Sequence, residues 1–250
     1  VMSAFVSFER VFEVLDSPNP LADRPGAAEL TDPTGSIRFE HVWFRYPGAD
    51  EGSIRSLETG AVETEHPDGP PLVLHDIDLD IAAGTTVALV GPSGAGKSTI
   101  ASLIPRLYDA TEGSVLLDGH DVRDLTQASV RRAIGVVSQD PHLFHATVGE
   151  NLRYARPDAT DEQLREACRA ARVLDVVDAM PDGFDTMVGE RGYRLSGGEQ
   201  QRLAIARLIL KDPAIVVLDE ATSAPDTENE AAIQAALADA VEGRTAVVVA

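Results

Sequence analysis

Hydrophobic and polar positions change period several times along this chain, and the changes mark its elements. Ile37, Phe39, Val42 and Phe44 lie in strand-like stretches that end at Tyr46-Pro47-Gly48. Alternation returns over Leu72–Ile81, with Val73, Ile77, Leu79 and Ile81 as its apolar positions. Thr85–Val90 is a short β-rich run of the kind that fills a buried parallel strand, and Ser98–Leu107 reads as a helix. Gly113–Leu117 and Ile134–Ser138 are further strand candidates, and residues 160–180 look helical throughout. Glu199–Leu210 is a helix before the apolar strand Ala214–Leu218, and Thr227–Val241 a helix before the strand Thr245–Val249. Strands alternating with helices predict an α/β sheet. The helix-rich middle, about 140–212, reads as an inserted helical subdomain.

The flanks behave differently. Val1–Asp16 sets Val1, Phe5, Phe8, Phe12 and Leu15 on one helical face, without a basic leader or cleavage site. The chain does not begin with Met, so this helix is expected to continue one that precedes it. Ser17–Gly26 is proline-rich and extended in character, part of a linker over 17–35 before a domain that starts near Ser36. Residues 49–71 are polar, acidic and aperiodic, and read as a long solvated loop insert. No apolar run reaches the ~18 residues that a membrane-spanning helix needs. With 41 acidic against 21 basic side chains, a net charge of −20, nucleic acid is a poor partner. The single cysteine, Cys168, excludes an internal disulfide and is expected to be a small buried side chain in a helix.

The first chemistry is the run Gly91-Pro92-Ser93-Gly94-Ala95-Gly96-Lys97-Ser98-Thr99, between a predicted strand and a predicted helix. It meets the pattern G-x-x-x-x-G-K-[S/T] in the context that the pattern requires. Glycines let the backbone curl until several N–H groups converge on one anion, and the helix that follows adds positive potential. Lys97 supplies a charge for the β- and γ-phosphates, and the Ser98 hydroxyl suits Mg²⁺. The run predicts a nucleoside triphosphate site, for ATP with magnesium. The second piece is Ile215–Glu220, an apolar strand ending in two acids. Asp219 at its tip can hold the Mg²⁺ shell, and Glu220 can orient and polarise an attacking water.

Leu195–Arg202 reads LSGGEQQR. Locally, Ser196-Gly197-Gly198-Glu199 is a capping box, with Ser196 as N-cap and Glu199 three residues on. Two glycines and a hydroxyl at a helix start also suit an anion. With the phosphate loop about 100 residues upstream and the acidic strand about 20 downstream, the order resembles ATP-binding cassette (ABC) proteins. Their signature is LSGGQ, with Glu199 here in the fifth place. The resemblance covers Ser36–Ala250 and implies a P-loop NTPase mixed sheet flanked by helices, an antiparallel β subdomain and an inserted helical subdomain. It makes Tyr46 the aromatic that stacks on adenine. Gln139 becomes the glutamine that touches Mg²⁺ and the attacking water, and Ser223-Ala224-Pro225-Asp226 the loop between sites. Gly189-Glu190-Arg191-Gly192 is similar to a loop that contacts membrane domains in exporters.

Two departures bear on activity. Pro225 stands where the family usually has leucine, and it fixes φ and lacks an N–H. The family's switch histidine would follow Ala250, and none of His41, His66, His75, His120, His142 and His145 is placed to replace it. The chain as it stands is expected to bind ATP and hydrolyse it poorly. The family arrangement implies a head-to-tail dimer, each signature closing the other chain's site. Val1–Asp16 looks like the cytoplasmic end of a transmembrane helix, and Phe144–Leu152 is similar to an exporter segment. Both point to an exporter with its transmembrane domains in the same chain, at the cytoplasmic face of the cell membrane. The alternatives are an importer ATPase subunit, a soluble mechanical cassette acting on DNA, and a two-cassette translation protein.

Overall fold

A computed structural model describes residues 8, 11–12, 21–48, 70–138, 141–189, 192–219 and 227–249, with side chains at 227–229 left aside. Of the N-terminal segment, Phe8, Val11 and Phe12 are described, all helical and exposed. The insert at 49–69 lies outside the described residues. No helix among them is long and apolar enough to cross a membrane.

The fold is the mixed α/β one that the sequence predicts. Strands β1 (Ile37–Phe44), β2 (Leu74–Ile81), β4 (Glu112–Leu117) and β5 (His120–Asp121) form an antiparallel sheet in the order β2-β1-β4-β5. Strands β3 (Thr86–Leu89), β6 (Ile134–Val137), β9 (Ile215–Asp219) and β10 (Thr245–Val249) form a parallel sheet in the order β3-β10-β9-β6. The short strands β7 (Ala146–Thr147) and β8 (Met187–Val188) pair with each other. The helices are α1 (Lys97–Leu103), α2 (Gln127–Ala133), α3 (Val148–Arg153), α4 (Asp161–Ala170), α5 (Leu174–Asp178), α6 (Gly197–Lys211) and α7 (Thr227–Val241).

Strand β9 shows why Ile215–Leu218, its positions before the terminal acid, are all apolar. Alternate side chains of a strand point to opposite faces. Ile215 and Val217 enter a core with β1, β2, β4, α1 and α2, while Val216 and Leu218 enter a second core with α3 to α7. A parallel sheet covered on both faces has no polar side to display. Helices α1 and α6 therefore pack on opposite faces of it.

Three local expectations are corrected. The run Thr85–Val90 is a strand but not a buried one: Thr86 and Ala88 are exposed and Val90 is 76% exposed. Among the described residues β3 has a single strand neighbour, β10. An apolar run specifies a strand, not how many neighbours it has. The helix expected to Leu107 ends at Leu103, and Arg106 takes a left-handed backbone (φ 54°) with its buried guanidinium on Asp109. Residues 160–180 form two helices, because the chain turns through a left-handed Arg172 (φ 56°) between α4 and α5.

Cys168 is buried in α4, and its burial pushes the thiol up to about 12. The thiolate, the reactive form, is suppressed. The folded chain is therefore expected to resist alkylation by iodoacetamide at neutral pH and to react fully once denatured; rapid labelling of the native form would contradict the packing.

Residues 23–35 are laid along the domain rather than held away from it. Arg24 pairs with Asp124 at 2.8 Å, Asp23 accepts the Gln127 N–H at 2.8 Å, and Glu29 meets Arg132 at 2.9 Å. Asp118 closes the strap. Its carboxylate accepts from the N–H groups of Thr34 (2.8 Å), Gly35 (3.1 Å) and Ser36 (2.8 Å) and from the Thr34 hydroxyl (2.6 Å). Burial works to raise its pKa, but the bonds from Thr34, Ser36 and Gly35 together hold it below the ordinary value. A depressed folded-state pKa means stability that is present above the unfolded value and lost as pH falls through the folded one. Asp118→Ala is expected to cost about 2 kcal/mol at neutral pH, from lost charge-assisted bonds and a left-handed backbone (φ 48°). Urea denaturation checks this, and the deficit should shrink in acid.

Candidate nucleotide-binding site

The phosphate loop leaves the C-terminal end of β3 and enters α1. Gly91 to Ala95 are exposed, whereas Gly96 is buried at the helix start. Gly94 (φ 82°) and Gly96 (φ 87°) hold left-handed conformations that curl the backbone. At Gly96 space is also short: a Cβ there would lie 2.6 Å from Leu74 Cδ2, and Leu74 is itself buried. Gly96→Ala is expected to destabilise the chain by about 1–3 kcal/mol, from φ and crowding together. Thermal unfolding reads this directly, with Gly94→Ala showing the φ cost alone, since open space surrounds Gly94.

The Lys97 ammonium folds back over the loop, donating to the carbonyls of Gly91 (2.7 Å) and Pro92 (3.3 Å). Those contacts fix the cation at the mouth of the curl. Ser98 is exposed on the first turn, and Thr99 is buried. The Thr99 hydroxyl hydrogen-bonds with the Tyr46 hydroxyl at 3.0 Å, an interaction across 53 residues. The Tyr46 ring stands edge-on to Phe44 (5.0 Å) and Tyr108 (5.2 Å) and remains 38% exposed. Tyr108 and Thr99 hold Tyr46 beside the loop. Neither partnership has a local sequence signal.

Asp219 comes to the same edge of the sheet. Leu89, Val249 and Asp219 form one row across β3, β10 and β9. Two strand spacings put Asp219 about 10 Å from the point where the loop leaves β3. Glu220, Gln139 and residues 223–226, with Glu190 and Arg191, lie outside the described residues.

Ser196 caps α6 as a complete capping box. Its side chain accepts from the Glu199 N–H (3.4 Å), and the Glu199 carboxylate accepts from the Ser196 N–H (2.7 Å). Gly197 has open space where a Cβ would stand. The structure thus brings Tyr46, Gly91–Thr99 and Asp219 to one region. It leaves Ser196–Glu199 on a helix of the opposite sheet face.

This arrangement matches a known family. The profile of a family described as ABC transporter fits residues 74–223. The chain belongs to the ABC transporter family. Nucleotide binding follows for this ABC chain. It is 45% identical over its whole 250 residues to ATP-binding cassette sub-family B member 6 of Homo sapiens, of which it covers 27%. It is 46% identical over 243 residues, 97% of its length, to the ATP-dependent lipid A-core flippase of Escherichia coli K12, of which it covers 38%. Among solved structures, a bacterial Atm1-family ABC exporter with ATP bound matches all of the ABC chain at a TM-score of 0.81 and 39% identity, over 40% of the exporter. The ABC chain spans two fifths or less of the length of these proteins.

A second surface of the ABC chain is built around Asn151, which is buried in α3. Its side-chain amide donates to the carbonyls of Phe144 (3.0 Å) and Thr147 (3.0 Å), and its oxygen accepts the Phe144 N–H (3.0 Å). Arg207 of α6 donates to the carbonyls of Asn151 (2.9 Å) and His142 (2.6 Å) and to the Asn151 side chain. Burial holds the Arg207 guanidinium below its ordinary value. The result is a rigid turn that presents Phe144 and Tyr154, ring centroids 4.8 Å apart, to solvent. The sequence places Phe144 in a segment, but Arg207, 63 residues away, carries no sign of its part in it.

Proposed function

We propose that the chain is the ATP-hydrolysing motor domain of an ABC exporter, coupling closure of an ATPase dimer to movement of a substrate across a membrane. The observation that carries this reading is coverage. The Atm1-family exporter matches the chain over its full length, including the residues ahead of Ser36. A stand-alone importer subunit would match only from near Ser36 on.

In this reading the N–H groups of Gly94–Thr99 and the Lys97 ammonium hold the β- and γ-phosphates, and Tyr46 offers its exposed ring to adenine. Gly91, Pro92, Ser93 and Ala95 shape the loop. Ser98 and Asp219 offer hard oxygen donors at one sheet edge, and Gln139 a third, a set that suits Mg²⁺. The ion, when bound, neutralises charge that develops on the phosphates. Glu220 takes the proton of the attacking water, and Gln139 and Lys97 orient and stabilise the reacting groups. Ser196, Gly197, Gly198 and Glu199 close the nucleotide bound to a second chain. The exposure of Gly91–Ala95 and the separation of α1 from α6 by the sheet support that sharing. The rigid Phe144 turn faces the transmembrane domains, which lie in the same polypeptide, with the ATPase at the cytoplasmic face of the cell membrane.

Reading the gene upstream of Val1 tests this. The exporter reading expects about six apolar spans of roughly 20 residues each. A start codon near Ser36 with no such spans would replace it with an importer subunit.

A further inference from the structure

Strands β1 and β2 pair with register shifts around Val42. Beside that irregularity His41 (φ 48°) and Asp76 (φ 51°) both take left-handed backbone. Their side chains meet on the exposed outside of the sheet. His41 Nδ1 lies 2.9 Å from Asp76 Oδ1 and 3.4 Å from Asp78 Oδ2. The His41 N–H donates to the other oxygen of Asp78 at 3.0 Å, which turns Oδ2 toward the imidazole. One ligand atom from each residue falls within 4.8 Å of the others. A groove of about 550 Å³ opens alongside, with Arg38, Phe39, Glu40, His41, Asp78 and Leu79 on its walls.

We propose that His41, Asp76 and Asp78 form a surface site for a first-row divalent ion of the zinc, cobalt or nickel kind, with water completing the shell. Ligand atoms ~2.0–2.2 Å from such an ion at tetrahedral angles stand about 3.4 Å from one another, close to the His41 separations. An imidazole nitrogen with two carboxylate oxygens is a borderline donor set that favours these ions over magnesium and calcium, which prefer oxygen alone. All three side chains are exposed, so an ion reaches them without any opening of the fold. The groove leaves room for the water ligands. A bound ion joins β1 to β2 where their ladder is irregular, and β2 carries Leu74, the residue that covers Gly96. Metal binding is therefore expected to raise the melting temperature of the chain.

The test titrates zinc sulfate and cobalt chloride into the nucleotide-free 250-residue chain in the presence of millimolar magnesium. Calorimetry should give one zinc per chain, and cobalt should develop a visible d–d band of the same stoichiometry. His41→Asn, Asp76→Asn and Asp78→Asn should each weaken zinc at least about tenfold. Asparagine tolerates left-handed backbone, so the fold survives these changes. His120→Asn, at an exposed histidine bonded to a backbone carbonyl, should leave binding unchanged. Loss of a single-site isotherm in the unaltered chain overturns the site. So does binding that survives His41→Asn and Asp76→Asn, or that falls in His120→Asn.

Discussion

Lys97→Ala lowers the affinity of this chain for ATP by at least about a hundredfold. The side chain brings the one full charge of the loop to the phosphates, where a charge-assisted bond to an anion is roughly twice as strong as a neutral one. Its two present partners, the carbonyls of Gly91 and Pro92, already hold the ammonium at the loop mouth. Alanine removes the charge and leaves those carbonyls facing the phosphates. Because the loop is exposed, the fold should tolerate the change. Equilibrium binding of a fluorescent ATP analogue, with circular dichroism as the folding control, checks both statements. Unchanged affinity would remove the site assignment.

Glu220→Gln in the full-length protein keeps ATP binding and lowers turnover by roughly a hundred- to thousandfold. Glutamine preserves shape and can still hold a water, but it cannot take the proton, and general bases contribute on this scale. Nucleotide then stays bound, and the closed dimer accumulates. Size-exclusion chromatography with and without magnesium-ATP should show a dimer that requires both. Normal turnover would mean that another group is the base.

The phosphate loop was legible because its chemistry dictates its spacing: glycines for the curl, then Lys97 and Ser98 at the helix start. The Ser196–Glu199 capping box was equally local and is present as read. What escaped depends on long-range packing. Nothing around Tyr46 announces Thr99 or Tyr108, because that cluster needs β1 and α1 in place. Asp118 has no neighbour in sequence that explains it: it gathers Thr34, Gly35 and Ser36 from 82 to 84 residues away. The exposure of β3 is not written in its apolar run, because side-chain pattern reports face, not neighbours. The break at Arg172 is hidden because a single left-handed residue leaves little trace in an apolar period.

Each ATP is expected to lie between two chains, and a mixing experiment tests that sharing. One chain carries Lys97→Ala and the other Gly197→Asp, both in the Glu220→Gln background. Alone, each variant has two damaged sites per dimer and should hold no closed dimer. Mixed, a head-to-tail dimer puts both lesions in one site and leaves the other intact. The mixture is expected to recover an ATP-dependent dimer with one nucleotide per two chains. If the mixture behaves like the separate variants, the loop and the signature do not meet across chains.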